Sequence, residues 1–285
     1  MGQEGLCRKK DPSDLTDEPG AIGSPMIPPP KQNPRGGRPR QVDRREVRTT
    51  LLSLNRSGCQ WDMLPHDFLP KSPVYDSFSQ WREDGTWARL VKAWRERNRV
   101  EAGREPTPSA AGLDSQSVQT TEVGGTERGD DGGKTIKGRK RPRLVETLGL
   151  LSAVLIPRAG LDDGVAAPIL LAHVTPSDFP RLGVIFADQK YHNDVFEAWL
   201  AEPRAGWRLA IKMRPEGPQG FTPLAKRWVV ERTNAWHGRS RRHSKDYERT
   251  GESSTAMIQI SNIHRMLNKL VACSYPAFHY RTEAA

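Results

Sequence analysis

Three features are scarce in this sequence, and each scarcity excludes a class of protein. The chain of 285 residues has three cysteines, which are far apart and form no Cys-x-x-Cys pair, so we expect neither a disulfide framework nor a zinc finger. Its longest mostly apolar stretch, residues 148–156, is far shorter than the roughly 20 residues of a transmembrane helix. The first residues contain no apolar core of the kind that defines a signal peptide. These absences predict a reduced, cytoplasmic protein without a membrane partner.

Acidic residues are outnumbered by basic ones. The chain has 44 lysines and arginines against 34 aspartates and glutamates, which gives a net charge of +10. Such a balance favours a polyanionic partner, and nucleic acid is the first candidate. Hydrophobic residues make up 35% of the chain, and its 23 prolines and 25 glycines indicate that part of it is unpacked. Its eight tryptophans can nevertheless anchor a core.

Composition divides the chain into four regions. Residues 1–42 are rich in proline and glycine and carry basic residues, which predicts a flexible arm that either touches DNA or is simply solvated. Residues 43–103 have the apolar spacing of three short helices with tight turns, which fits a helix-turn-helix-like DNA-binding domain or a plain helical packing domain. A strand-rich region at 108–273 and a tail at 274–285 complete the chain.

The strand-rich region predicts an α/β fold. Its order is three strands, helix, strand, helix, strand and helix, with one further helix at the end. This order indicates a mixed sheet with helices on both faces. The predicted strands cover residues 112–118, 144–150, 151–158, 182–187 and 207–212, and the predicted helix after the last strand covers 223–239.

Three acids stand where a metal site can form. Asp114 lies in the first predicted strand, Asp188 ends the fourth, and Glu231 shares a helix face with Trp228. Carboxylates of this kind make a hard-oxygen site, which selects Mg²⁺ or Mn²⁺ over zinc. Ordinary explanations also exist, because an aspartate at a strand end often forms a turn and Glu231 can pair with Arg227 or Arg232. The pattern alone leaves both interpretations open.

Several blocks that occur in order resemble one known family. They include Leu-Asp-Ser-Gln-Ser-Val-Gln-Thr-Thr at 113–121, Phe-Ala-Asp-Gln-Lys-Tyr-His at 186–192, Arg-Trp-Val-Val-Glu-Arg-Thr-Asn-Ala-Trp at 227–236, and Ser-Lys-Asp-Tyr-Glu-Arg at 244–249. Over about residues 11–272 the chain is similar to bacterial insertion-sequence transposases of the DDE class, of the group numbered four and five. The family usually has His and Asp where this chain has Pro142 and Glu146.

The resemblance implies a ribonuclease-H-like catalytic fold, with its first and fourth strands as neighbours, preceded by the small all-helical domain. It implies that Asp114, Asp188 and Glu231 are the catalytic triad and the ligands of two Mg²⁺ ions, which Mn²⁺ can replace. The implied activity is transposition: the protein binds element ends and target double-stranded DNA, hydrolyses one strand at each end, and joins the freed 3′-hydroxyl to the target.

We further expect a homodimer or larger assembly on DNA, associated with the bacterial nucleoid. Two alternatives stay open. One is a nuclease on the same fold that does not join strands. The other is an inactive, transposase-derived DNA-binding protein.

Two basic clusters are expected to hold DNA. One lies between the first two predicted strands, where an extended hairpin loop would run along the DNA, and the other flanks Glu231. A solvated charged face is the alternative for both. The predicted DNA-binding residues are Lys134, Lys137, Arg139, Lys140, Arg141, Arg143, Arg232, Arg239, Arg241, Arg242 and Lys245. Among them, Arg232 and Lys245 are the candidates for phosphate contacts beside the metal ions.

Overall fold

The computed structural model describes residues 24–28, 42–122, 124–125, 127–202, 206–211 and 228–270. Most of the predicted arm at 1–42, the tail at 274–285 and the predicted helical residues 223–227 lie outside these ranges.

Three helices form the amino-terminal region, as predicted. They are α1 (Arg44–Ser57), α2 (Lys71–Glu83) and α3 (Thr86–Glu101). The ends of α1 follow from its sequence: the Asp43 side chain accepts a hydrogen bond from the Arg45 amide, and Gly58 ends the helix in the left-handed conformation, with φ of 73°. An N-cap carboxylate satisfies an otherwise orphan amide, and glycine adopts positive φ without steric cost.

A mixed sheet with flanking helices follows, which confirms the predicted α/β class. The strands are β1 (Ala110–Gln119), β2 (Gly129–Asp131), β3 (Ile136–Glu146), β4 (Leu151–Val154), β5 (Val184–Ala187) and β6 (Arg208–Ile211). Their order is β2-β3-β1-β5-β6, and β4 pairs with β3. β1 is antiparallel to β3 and parallel to β5, so the expected neighbours are adjacent. The remaining helices are α4 (Asp163–Ala172), α5 (Asp194–Ala201), α6 (Trp228–His237) and α7 (Gly251–Leu270).

The first basic cluster is not the loop that the sequence predicts. Residues 136–143 belong to β3, which pairs with β1, β2 and β4, so the loop prediction is wrong for them. Arg139, Arg141 and Arg143 are buried and point to one face of the strand because alternate residues share a face. Lys140 is buried towards the opposite face, where its Nζ lies 3.0 Å from Asp163 Oδ1. Charged strand residues can be buried in this way only when partners compensate them.

Those partners come from residues 241–250 for the most part. Arg139 donates hydrogen bonds to Asp246 Oδ1 at 3.2 Å and to four backbone carbonyl oxygens. Arg141 donates to two further carbonyl oxygens in the same segment. Arg242 donates to Glu248 Oε1 at 2.6 Å, so both acids of this segment are paired with arginines. The cluster is therefore a buried ionic network that fastens residues 241–250 onto the sheet.

Two hydrophobic clusters form the core. The first joins the amino-terminal helices to β4 and α7, and the second fills the space between the sheet, α4 and α5. The first cluster includes Leu51, Phe78, Trp94, Leu151, Met257 and Met266, and the second includes Leu113, Leu144, Leu170, Ile185 and Phe196. The predicted boundary near residue 103 thus marks the change from helices to strands, while the packing continues across it.

Replacement of Arg139 tests the buried network. We expect Arg139→Ala to lower the free energy of unfolding by about 3–5 kcal/mol, because it removes the closer of the two guanidinium partners of the buried Asp246 carboxylate and leaves only Arg141, at 3.8 Å. Lys137→Ala is the matched control, since Lys137 lies on the same strand and is exposed. It should stay within about 0.5 kcal/mol of the parent protein. Urea unfolding followed by circular dichroism measures both, and equal stability of the two variants would contradict the network.

Candidate active site

Strand register places Asp114 and Asp188 side by side. In the parallel pairing of β1 with β5, Gly112 stands opposite Phe186. Asp114 and Asp188 each lie two residues further along the same two chains, and residues two apart on a strand point to the same face. Continued by two residues, this register puts Asp114 and Asp188 at the same level of neighbouring segments, at the carboxyl end of β5. In an open sheet, sites form at such ends.

The position of Asp188 is fixed by a local turn. It is the N-cap of a short 3₁₀ helix, Gln189–Tyr191, and its Oδ1 accepts a hydrogen bond from the Lys190 amide at 3.0 Å. The turn-forming role that the sequence left open is thus real. Because only one carboxylate oxygen takes part in this bond, turn formation and ligand binding are compatible roles for Asp188.

The turn between β3 and β4 supplies the surface on which α6 rests. Glu146 is fully buried and ion-paired with Arg99, and its Oε1 accepts hydrogen bonds from the amides of Leu148 and Leu150 at 2.8 and 3.0 Å. Gly149 has φ of 81°, and a Cβ there would lie 2.8 Å from the Trp236 ring. Only glycine allows the helix to approach this closely.

Helix α6 is anchored to this turn by two of its side chains. Thr233 Oγ1 donates to the Gly149 carbonyl at 2.9 Å, and Arg232 Nη2 donates to the Leu148 carbonyl at 3.3 Å. The Arg232 guanidinium also stacks on two tryptophan rings, those of Trp228 at 4.2 Å and Trp236 at 4.4 Å. Cation–π contacts of this kind favour one arrangement of the arginine.

The same helix, which includes Glu231, contacts Asp114 on β1. Asn234 Nδ2 donates a hydrogen bond to Asp114 Oδ2 at 3.1 Å, so this face of α6 touches β1. Glu231 lies three residues before Asn234, and residues three apart are neighbours on one helix face. Asp114, Asp188 and Glu231 are all half-buried. The structure thus places two of the predicted acids on neighbouring segments at one edge of the sheet and the third on the helix that contacts Asp114.

The three acids have the donor chemistry of a hard divalent cation site. Carboxylate oxygens are the ligands that Mg²⁺ and Mn²⁺ prefer. Within the described ranges, which include all three acids, no three Asp, Glu, His or Cys side chains converge closely enough to hold an ion. The ligand type therefore fits, while the carboxylates do not form a closed cage in this conformation.

Tyr191 is a site residue that sequence reasoning did not single out, although it lies in the block at 186–192. It is buried, and burial raises the pKa of its phenol well above the usual value, with Asp114, Asp163, Asp188 and Asp162 adding to the effect in that order. Its hydroxyl has no hydrogen-bond partner among the described residues. One phenol thus senses both predicted ligand aspartates, which supports their proximity.

The predicted DNA-binding residues fall into two sets. Those that reach the surface are Lys134, Lys137, Arg239, Arg241 and Lys245, with Arg232 half-buried. Those that are buried are Arg139, Lys140, Arg141, Arg143 and Arg242. Burial leaves the second set without the open access that a phosphate contact requires. His192, the last residue of the block at 186–192, is exposed and has Nδ1 2.5 Å from Glu197 Oε1.

Comparison with protein-family models shows which proteins this chain resembles. Residues 105–267 match the model of the transposase DDE domain, and residues 15–91 match that of an IS4/5-family transposase domain. The chain belongs to the DDE transposase family. No curated protein matches it.

Membership of this family establishes the transposase role and gives the mixed sheet its ribonuclease-H-like identity. Divalent-metal dependence is a general property of the DDE domain, and DNA is the general partner of transposases. None of the helices in the described part of the transposase combines the length and apolar character of a membrane crossing.

Two histidines lie buried behind the transposase site. His237 on α6 and His243 have ring centroids 6.1 Å apart. Burial lowers the pKa of each well below its usual value, and the nearby arginines, chiefly Arg143 for His237 and Arg141 for His243, lower it further. Both are therefore neutral in the folded protein at neutral pH.

This burial predicts a pH dependence of stability. Below about pH 6.5 the unfolded chain binds protons at these histidines while the folded chain does not. The free energy of unfolding should therefore fall with acidification, by up to about 1.4 kcal/mol per pH unit for each histidine. Urea titrations of the parent protein and of His237→Asn between pH 7 and pH 5 measure this slope. In His237→Asn the slope of the free energy of unfolding against pH should be smaller by the contribution of one histidine. An unchanged slope would contradict the prediction.

Proposed function

We propose that this protein moves an insertion sequence by binding its ends, hydrolysing one strand at each end and transferring the freed 3′-hydroxyl to target DNA. The observation that carries the proposal is the strand register of Asp114 and Asp188, together with the contact that the Glu231 helix makes with Asp114 through Asn234. This arrangement lies inside the part of the chain that matches the DDE domain.

In this proposal Asp114, Asp188 and Glu231 hold two Mg²⁺ ions, which Mn²⁺ can replace. Divalent ions held by such carboxylates supply a nucleophilic oxygen and stabilise the leaving oxygen of a phosphodiester displacement. The Asp188 turn keeps one carboxylate at the end of β5, and the Asn234–Asp114 hydrogen bond ties the helix that carries Glu231 to β1. Water attacks in the first step and the 3′-hydroxyl attacks in the second, so no covalent protein–DNA intermediate is needed.

DNA contact in this proposal belongs to the exposed cations. Lys134 and Lys137 lie at the β2–β3 connection, and Arg239, Arg241 and Lys245 follow α6 along the chain. These exposed cations would neutralise phosphates of a strand held for cleavage. We assign end recognition to the helices of residues 43–103. Two copies of the chain, one for each element end, account for the homodimer or larger assembly on DNA.

The first test removes the acids one at a time. Asp114→Ala, Asp188→Ala and Glu231→Ala should each abolish Mg²⁺-dependent cleavage of an end-bearing DNA, because each removes charge that stabilises the displacement. DNA affinity should stay largely intact, since the exposed cations remain. Glu197→Ala, which removes an exposed acid near the site, is the control and should retain activity.

Cleavage gels, strand-joining assays and gel shifts on the same preparations give the readouts. Full activity in any one of the three variants would rule out that residue as a ligand. Cleavage without joining by the parent protein would indicate the non-transposing nuclease instead. Binding without cleavage by the parent would indicate the inactive DNA-binding protein.

The second test concerns the exposed cations. Lys134→Ala with Lys137→Ala should lower the slope of log affinity against log salt concentration by about 2, since each lost phosphate contact removes about 1. Preference among end sequences should not change, because phosphate contacts carry no sequence information. Arg181→Ala is the control, since Arg181 is exposed and precedes the opposite end of β5 from Asp188. Fluorescence titrations at four salt concentrations would show no change of slope in the double variant if this surface does not touch DNA.

A further inference from the structure

The side-chain amide of Asn234 links Asp114, the first predicted metal ligand, to the buried cation Arg143. Arg143 stands directly opposite Asp114 in the antiparallel pairing of β3 with β1, and it is fully buried. Asn234 reaches this pair from α6. Its Oδ1 accepts a hydrogen bond from Arg143 Nη1, and its Nδ2 donates to Asp114 Oδ2 at 3.1 Å.

The chemistry of arginine fixes the orientation of this amide. A guanidinium only donates hydrogen bonds, so the group that faces Arg143 must be the carbonyl oxygen of Asn234. The NH₂ group must then face Asp114, where it meets an acceptor. A flipped amide would place NH₂ against a guanidinium and a carbonyl against a carboxylate. Both contacts would be repulsive, so the amide has one stable orientation.

The electrostatics around Arg143 agree with this geometry. Burial, reinforced by Arg141 and opposed by Asp114, lowers the pKa of Arg143 to about 9. Arg143 is therefore charged at neutral pH. The buried cation and the amide act on the same carboxylate from β3 and from α6.

We propose that Asn234, oriented by Arg143, is a positioning residue that holds the Asp114 carboxylate in the orientation needed for divalent-ion binding. This inference rests on the proposed function, because it takes Asp114 as a metal ligand. Asn234 donates to one oxygen of Asp114 and so fixes the carboxylate plane in space. Removal of a partner that orients a metal ligand in this way typically weakens metal binding about 10–100-fold.

A purely structural role for Asn234 is the competing explanation, and the neighbouring contacts separate the two. Helix α6 is already attached to the β3–β4 turn through Thr233 and Arg232, and Asn234 takes no part in those bonds. Thr233→Val therefore serves as a matched control, because it weakens the attachment of the helix and leaves the Asn234–Asp114 bond in place.

The experiment compares Asn234→Ala, Asn234→Asp and Thr233→Val in the full chain. Aspartate has the shape of asparagine and can accept from Arg143, but its ionised form cannot donate to Asp114. We expect both Asn234 variants to raise the Kd for Mn²⁺ at least about tenfold in DNA-free protein, measured by electron paramagnetic resonance. Their DNA affinity should be unchanged. Thr233→Val should lower the melting temperature while leaving the Mn²⁺ affinity of the folded protein unchanged.

Further outcomes have distinct meanings. Parent-like Mn²⁺ affinity in Asn234→Asp would overturn the positioning role. A loss of Mn²⁺ affinity in Thr233→Val equal to the loss in Asn234→Ala would also overturn it. Asp114→Ala separates this failure from that of the proposed function. If Asp114→Ala abolishes Mn²⁺ binding while both Asn234 variants bind normally, the positioning role alone is wrong. If Asp114→Ala also binds Mn²⁺ normally, Asp114 is not a ligand and the proposed metal site is wrong.

Discussion

The burial of positive charge along β3 is the constraint on which the rest of the catalytic region depends. Arg139, Arg141 and Arg143 occupy alternate positions, so they line one face of the central antiparallel strand. Burial of a guanidinium is costly unless hydrogen-bond acceptors meet its N–H groups. Residues 241–250 and α6 supply those acceptors, which accounts for their packing against this face rather than elsewhere.

This arrangement couples the site to the framework of the sheet. Asp114 lies on the strand next to β3, opposite Arg143, and the helix that carries Glu231 also carries the amide between them. Each part of the site therefore has two independent attachments. Asp188 is held by its own turn and by the pairing of β5, while α6 is held by the β3–β4 turn and by β1.

Local sequence patterns predicted most of the elements, since the signals for them are local. Asp43, Asp162 and Asn193 each cap a helix as the sequence indicates, because an N-cap is formed within a few residues of chain. The start of β3 was missed for the opposite reason. Most of its residues are charged and they present no apolar face, and the ion-pair partner of Arg139, Asp246, is 107 positions away.

The site residues also divide into those with a local sequence signal and those that depend on distant partners. Asp114, Asp188 and Glu231 could be named from their placement and from the family resemblance. The amide of Asn234 and the phenol of Tyr191 could not, because their significance depends on which side chains they meet across elements. Likewise, nothing in the run of basic residues at 134–143 distinguishes the exposed Lys137 from the buried Arg139, whereas their positions in the sheet do.

The hydrophobic cluster shared by the amino-terminal helices, β4 and α7 has a consequence for the geometry of cutting. A recognition module tethered by a loose linker can deliver a range of phosphates to an active site. Here Trp94 and Phe78 pack in one core with Met257 and Met266, and β4 joins that core to the sheet. A double helix gripped by the helices would thus be presented to the acids at one fixed offset. The rigid packing of the helices against the sheet would then set the distance in base pairs between the bound sequence and the cut.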